Sequence, residues 1–146
     1  MTLIDAAGVI SLLTAEPGAA EVAALIRDGN VGMTAVNLGE ARDKLERVAG
    51  FMGGDVDAAM DELLDAGLSA VAVESVDGLL AGSLRAAEYR PRYSEVSLAD
   101  CLLLASAINR AARLATSDVV LARIAVRHQV EVIPLPNSLG QRPTLP

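Results

Sequence analysis

Short apolar runs that repeatedly give way to helix-spaced ones constrain this chain most. Thr2-Leu3-Ile4 runs into Asp5, and apolar residues then recur at helical spacing over 6–15 until Glu16-Pro17-Gly18 breaks the pattern. A second helix is predicted over 19–27, a strand over 31–35 and a helix opened by Asn37 over 37–48. Gly50-Phe51-Met52-Gly53-Gly54 reads as a loop, followed by a helix over 56–65, a strand over 70–76 and a helix over 77–88. After a polar loop over 89–94 come a helix over 98–112, a strand over 113–116, a helix over 119–128 and a strand over 131–135. Strands this apolar, each returning through a helix, predict an α/β fold with a parallel sheet covered on both faces and right-handed crossovers. Residues 136–146, rich in Pro, Gly, Asn and Ser, are expected to form an irregular tail behind a single domain over 1–135.

The bulk properties fit that reading. A chain of 146 residues with 52% apolar residues and a mean hydropathy of +0.40 can bury a sizeable core in one domain. No apolar run reaches the roughly 18 residues that would span a bilayer, and no basic leader precedes the first strand, so a soluble cytoplasmic protein without membrane contact is expected. Cys101 lies in an apolar run and is expected to be an inert buried thiol; His128 has no neighbours at zinc-ligand spacing and is expected at a solvated helix end.

A net charge of −7 argues against nucleic acid as a partner, yet every cation except Lys44 is arginine, whose planar fork suits phosphate. Arg90 and Arg92, on the polar loop, are candidate phosphate contacts. With Phe51, Tyr89 and Tyr93 as the only aromatics, a base-stacking platform is excluded.

Four acids stand where strand gives way to helix or within the first helical turn: Asp5, Glu40, Asp100 and Asp118. In a parallel α/β sheet such positions share the carboxyl edge, where ligands bind. From Asp100 a helix of about 12 residues runs roughly 18 Å away, and the strand over 113–116 runs about 13 Å back, returning Asp118 to the same edge. Singly, each fits a helix start: Ser97-Leu98-Ala99-Asp100 and Asn37-Leu38-Gly39-Glu40 match the capping pattern, and Asp5 and Asp118 suit N-caps. Together, converging carboxylates repel unless protonated or bridged by a cation, and hard oxygen donors select Mg²⁺ or Mn²⁺. Such ions promote hydrolysis of phosphodiesters. Asn37, Thr116 and Ser117 are candidate polar partners of these acids, while Asp43, one turn past Glu40, is expected to be a solvated carboxylate.

Asp5 after an apolar strand, Asn37-Leu38-Gly39-Glu40, Ser97-Leu98-Ala99-Asp100 and Leu114-Ala115-Thr116-Ser117-Asp118 resemble the PIN-domain nucleases, and more narrowly the VapC-like toxins of toxin-antitoxin pairs. The resemblance implies a five-stranded parallel sheet flanked by helices and Mg²⁺- or Mn²⁺-dependent cleavage of RNA. It also implies homodimerisation and inhibition by a cognate antitoxin that occludes the acidic pocket. Asp5, Asp100 and Asp118 would hold the ion, and Glu40 would complete the site or orient water. One departure is Ala6-Ala7, where the family often has Ser or Asn after its first aspartate. A haloacid-dehalogenase-type phosphatase needs a second aspartate at Ala7, and a receiver domain needs paired acids near the first strand and a lysine after the last; neither fits. The remaining alternative is a PIN-like module that binds metal or protein without cleaving.

Overall fold

The computed structural model describes residues 1–145. Five strands, β1 (Thr2–Ile4), β2 (Val31–Thr34), β3 (Leu68–Val71), β4 (Arg113–Thr116) and β5 (Val132–Pro134), form one parallel sheet in the order β3-β2-β1-β4-β5. The helices are α1 (Ala6–Leu13), α2 (Ala19–Asp28), α3 (Ala35–Arg47), α4 (Gly53–Asp65), α5 (Ser75–Glu88), α6 (Leu98–Asn109) and α7 (Val119–Arg127). The strand order reverses direction at β1: β2 and β3 are added on one side of it, β4 and β5 on the other. The crevice above β1 and β4 is therefore the switch point at which an α/β sheet of this kind offers a binding site.

Successive side chains of the strands serve opposite faces. Leu3 and Leu114 pack with α5, α6 and α7 residues such as Ala81, Leu84, Leu103, Leu104, Leu121 and Ile124. Their neighbours Ile4 and Ala115 pack on the other face with Val9, Val22, Ile26, Met33 and Ala41. The apolar residues of the segments over 9–13 and 102–108 go into these two cores: Val9, Leu103, Leu104, Ala105 and Ala107 are fully buried, and Ile10, Leu12, Leu13, Leu102 and Ile108 pack against the cores. The large apolar side chains left exposed lie elsewhere, among them Val76, Leu79 and Leu98.

Several boundaries differ from the sequence reading. Strand β3 pairs with β2 from Val31↔Leu68 to Thr34↔Val71 and begins right after Gly67, whose φ of 116° suits glycine and ends α4. It is thus earlier than the predicted 70–76. A capping box takes over beyond the strand: Glu74 accepts from the Asp77 backbone and the Asp77 carboxylate accepts from the Glu74 N–H at 3.0 Å, which starts α5 at Ser75 rather than Asp77. Gly53 and Gly54, read as loop, form the first turn of α4. Helix α3 starts at Ala35 with Thr34 as N-cap, so Asn37 sits inside the helix rather than opening it. Helix α6 stops at Asn109, and Ala111 adopts a φ of 49° before β4.

The segment after β5 forms no helix or strand among the described residues, but it is fastened: Arg142 pairs with Glu21 and donates to the Pro134 carbonyl at 2.6 Å. His128, at the end of α7, is only half-exposed and its Nε2 meets Glu88 Oε1 at 3.0 Å, so it tethers α7 to α5 instead of standing free in solvent. Among the described residues no helix is long and apolar enough to cross a membrane.

Gly8 illustrates how tightly α1 is seated under the crevice. A Cβ there would lie 2.6 Å from Cδ1 and Cγ1 of the fully buried Ile4. Gly8→Ala is expected to cost about 1–3 kcal/mol through overpacking, read as a lower urea midpoint with an unchanged slope; a midpoint equal to wild type would show that Ile4 repacks freely.

Candidate active site

The crevice at the switch point is a cleft of about 160 Å³ lined by Asp5, Ala6, Ala7, Glu40, Lys44, Ser97, Asp100 and Asp118. Four elements deliver the acids. Asp5 directly follows β1 and N-caps α1, its Oδ1 accepting from the Gly8 N–H at 2.8 Å. Asp118 follows β4 by two residues and N-caps α7, its Oδ1 accepting from the Leu121 N–H at 2.8 Å. Asp100 is the third residue of α6 in a capping box: the Ser97 hydroxyl donates to its Oδ2 at 2.6 Å while its N–H donates to Ser97 Oγ at 3.0 Å. Glu40 projects from the second turn of α3. Each acid that sequence reasoning allowed as a helix cap, apart from Glu40, is one, and all four nevertheless line the cleft. Capping and convergence are compatible, because a helix that begins at the sheet edge points its N-terminus and its capping carboxylate into the crevice.

The polar partners divide unequally. Thr116 is fully buried; its hydroxyl donates to Asp5 Oδ2 and accepts from the Asp118 N–H at 2.9 Å, fixing the spacing of the two aspartates across β1 and β4. Asn37, also fully buried, donates from Nδ2 to Glu40 Oε2 at 3.3 Å, and its Oδ1 accepts from the Thr34 hydroxyl at 2.5 Å. Thr34 was not singled out from sequence, since a Thr-x-x-Asn start lacks the acidic residue of a capping box. Ser117 is half-buried and joins none of these hydrogen bonds. Asp43 pairs with Arg47 on the open face of α3, as a solvated carboxylate would. Arg90 and Arg92 are exposed: Arg90 Nη1 donates to the Tyr89 carbonyl at 2.6 Å, Arg92 donates its backbone N–H to Glu95, and neither side chain lines the cleft.

Lys44 is the residue that the sequence reading passed over. One turn beyond Glu40 on α3, it lines the cleft and its Nζ stands 2.8 Å from Glu40 Oε1. Burial works against its charge, but Glu40, with Asp100 and Asp5 behind it, outweighs burial and holds the ammonium above its ordinary pKa. Burial is also the main influence on Asp5, whose carboxyl is pushed up to about 6; hydrogen bonds from Thr116 and Gly8 oppose the rise, and the charges of Asp100 and Asp118 add to it. Burial raises Asp100 likewise, with Ser97 opposing and Asp118 and Glu40 adding. Cys101, next to Asp100, is 1% exposed, and burial pushes its thiol up to about 11, so it is inert as a nucleophile.

The carboxylate donors of the cleft are all oxygen, which in kind suits a hard divalent cation rather than zinc or copper. As arranged, the three aspartates are turned toward their capping partners and Glu40 toward Asn37 and Lys44, and among the described residues no group of three or more acidic, histidine or cysteine side chains stands close enough to hold one ion. Ala6 and Ala7 line the cleft without contributing a side-chain polar group.

The PIN domain family model matches residues 2–127, and the chain belongs to that family. No curated protein matches the sequence. Among solved structures, VapBC2 from Rickettsia felis bound to a DNA fragment from its promoter shares 14% identity and a TM-score of 0.67, over 91% of this chain and 98% of that one. FitAcB from Neisseria gonorrhoeae shares 20% identity and a TM-score of 0.61, over 91% and 96%. VapC20 from Mycobacterium tuberculosis, described as a sarcin-ricin loop cleaving toxin, shares 16% identity and a TM-score of 0.60, over 77% and 85%. At these identities the likeness is one of fold.

Proposed function

We propose that this protein is a divalent-metal-dependent ribonuclease, a hydrolase of RNA phosphodiesters that acts as the toxin of a toxin-antitoxin pair. One observation carries the reading: Asp5, Glu40, Asp100 and Asp118, from four separate elements, line a single cleft at the switch point of the sheet. Asp5, Asp100 and Asp118 are the residues assigned to hold Mg²⁺ or Mn²⁺. Glu40, oriented by Asn37, completes the set or positions the attacking water. Such an ion, when bound, makes water acidic enough to attack a phosphodiester and offsets the charge that builds on the phosphoryl oxygen. Thr116 holds Asp5 and the Asp118 backbone in register, and Ser97 holds Asp100, so both keep carboxylates in place without touching substrate. Phosphate contacts by Arg90 and Arg92 require their loop to bring them across to the cleft. The nuclease unit is assigned to 1–135, with 136–146 as an appended tail, in a cytoplasmic protein.

The partner belongs to the same reading. Several structural relatives are toxin-antitoxin complexes, and an acidic cleft suits a basic antitoxin side chain inserted among the carboxylates. Exposed Val76, Leu79 and Leu98 offer apolar surface for a homodimer.

The test is cleavage of pooled cellular RNA by antitoxin-free protein, wild type against Asp100→Asn, in Mg²⁺, in Mn²⁺ and in EDTA. Discrete, ion-dependent fragments from the wild type alone are expected; equal cleavage by a metal-purified Asp100→Asn protein would sink the assignment. A second reading is a PIN-like module that binds metal or protein without cleaving; its protein-binding form is favoured by the commitment of Asp5 and Asp118 to capping bonds. Folded wild-type protein that binds Mn²⁺ and leaves every RNA intact would support that alternative.

A further inference from the structure

Both carboxylate oxygens of Glu40 have a partner. Oε2 accepts from Asn37 at 3.3 Å, and Oε1 is held by Lys44 Nζ at 2.8 Å. The same helix carries two more pairs one turn apart, Arg42–Glu46 and Arg47–Asp43, whose carboxylates are 47% and 53% exposed, against 23% for Glu40. Those two lie on open surface, where such pairs contribute little. Lys44 instead shares its cleft with Asp5, Asp100 and Asp118. The cation at this place is also the one lysine of the chain, a compact point charge where every other cation is a planar fork.

We propose that Lys44 is the built-in counter-ion of the cleft and competes with an incoming divalent cation for the Glu40 carboxylate. The inference rests on the cleft being a cation site, not on its cleaving RNA. With no ion bound, the ammonium offsets part of the repulsion among carboxylates that the fold brings together. For Glu40 to serve as a ligand, Lys44 has to release Oε1, and its positive charge opposes any ion that enters beside it. Lys44 thereby sets how much free divalent ion is needed to complete the site.

The experiment is Mn²⁺ binding by electron paramagnetic resonance, at fixed pH and ionic strength, without RNA. Lys44→Gln is expected to bind Mn²⁺ about five- to fiftyfold more tightly than wild type, the scale of one unit charge removed beside a divalent ion. Lys44→Arg, which keeps the charge, is expected to stay within about threefold of wild type, as is Arg47→Gln, which removes a cation from the open face of the same helix. In a Glu40→Gln background the gain from Lys44→Gln must shrink or vanish, because the competition is over that carboxylate. Thermal melts in EDTA add a check that any helical substitution can be read against: Lys44→Gln is expected to melt lower than wild type without ions and to recover more on adding Mn²⁺. Unchanged or weaker Mn²⁺ binding by Lys44→Gln, or a gain that persists undiminished without the Glu40 carboxylate, would overturn the proposal. Absence of RNA cleavage would count against the ribonuclease reading alone.

Discussion

Asp5→Asn is expected to melt higher than wild type in EDTA above pH 6 and, on the proposed ribonuclease reading, to cleave RNA about a thousandfold more slowly in Mg²⁺. The cause of the first effect is burial. Asp5 is 3% exposed and its carboxyl is pushed up to about 6 from 3.8. The folded protein therefore binds this proton more tightly than the unfolded chain. Stability contributed by Asp5 is fullest below pH 3.8, falls as pH rises through the window from 3.8 to about 6, and stays lower above it. The ionised group costs about 3 kcal/mol of folding free energy at pH 8, at about 1.4 kcal/mol per pKa unit. Asn removes that cost and keeps an acceptor for the Gly8 N–H, but it disturbs the hydroxyl bond from Thr116. A net gain of about 1–2 kcal/mol is expected, equivalent to several degrees in the melt. The loss of cleavage follows from removing a carboxylate assigned to the ion, whose charge stabilisation of about 4 kcal/mol corresponds to about three decades in rate. Melting curves from pH 4 to pH 8 in EDTA check the first half: near pH 4, where Asp5 is protonated in the folded protein and only the disturbed Thr116 bond counts, the variant should melt slightly lower, and it should cross the wild type and melt higher above pH 6. Curves that stay parallel, or a variant that melts lower throughout, would refute the account of Asp5 as a strained buried charge.

The opposed effects at one residue also indicate which parts of this protein its sequence displays. The alternation of apolar strand and helix is legible because a parallel sheet buries both faces, so Leu3-Ile4 in β1 and Leu114-Ala115 in β4 read as short apolar centres, each followed within three residues by an acid. Once those runs are parallel, Asp5 and Asp118 must share an edge. Register was less legible. Ala70-Val71-Ala72-Val73-Glu74-Ser75-Val76 alternates as a strand does, yet the pairing with β2 ends at Val71, and the reciprocal bonds between Glu74 and Asp77 turn the rest into a helix start. Thr34 was hidden for a similar reason: a threonine after an apolar run reads as strand until its hydroxyl is seen to hold Asn37. Lys44 was hidden because one turn after a glutamate a lysine is the commonest of surface pairs, and only the packing of α3 against α1 and α6 places it among the aspartates. The direction of the loop carrying Arg90 and Arg92 was beyond the sequence altogether, since no periodicity governs a loop.

Asp77→Ala is expected to destabilise the fold by about 3–5 kcal/mol at pH 7 without touching the acidic cleft. The Asp77 side chain is 0% exposed and accepts from Asn109 Nδ2 at 2.8 Å, from Arg110 Nη1 at 3.0 Å and from the Glu74 N–H at 3.0 Å. Arg110 in turn donates from Nη2 to the Ala72 carbonyl at 3.0 Å, so one buried carboxylate fastens the turn after β3, the start of α5 and the end of α6. Truncation leaves the Arg110 guanidinium, only 25% exposed, facing a cavity with its partner gone. The pH signature is opposite to that of Asp5. Burial disfavours the Asp77 charge, but the Glu74 N–H, Asn109 and Arg110 outweigh it and hold the carboxyl below 3.8. Its contribution is therefore present above the unfolded pKa of 3.8 and is lost as pH falls through the lower folded value. In urea melts the gap between wild type and Asp77→Ala should be full at pH 7 and should narrow only below pH 3.8. Adding Arg110→Met to Asp77→Ala is expected to recover part of the loss, because the unpaired charge is removed with it. A gap under about 1 kcal/mol at pH 7 would mean that the pair sits in surroundings as forgiving as a surface salt bridge. A gap that widened in acid would mean that the carboxyl is not held ionised by Arg110. Because Asp77, Asn109 and Arg110 do not line the acidic cleft, loss of the network should lower the concentration of folded protein and leave the Mn²⁺ affinity of each folded molecule unchanged.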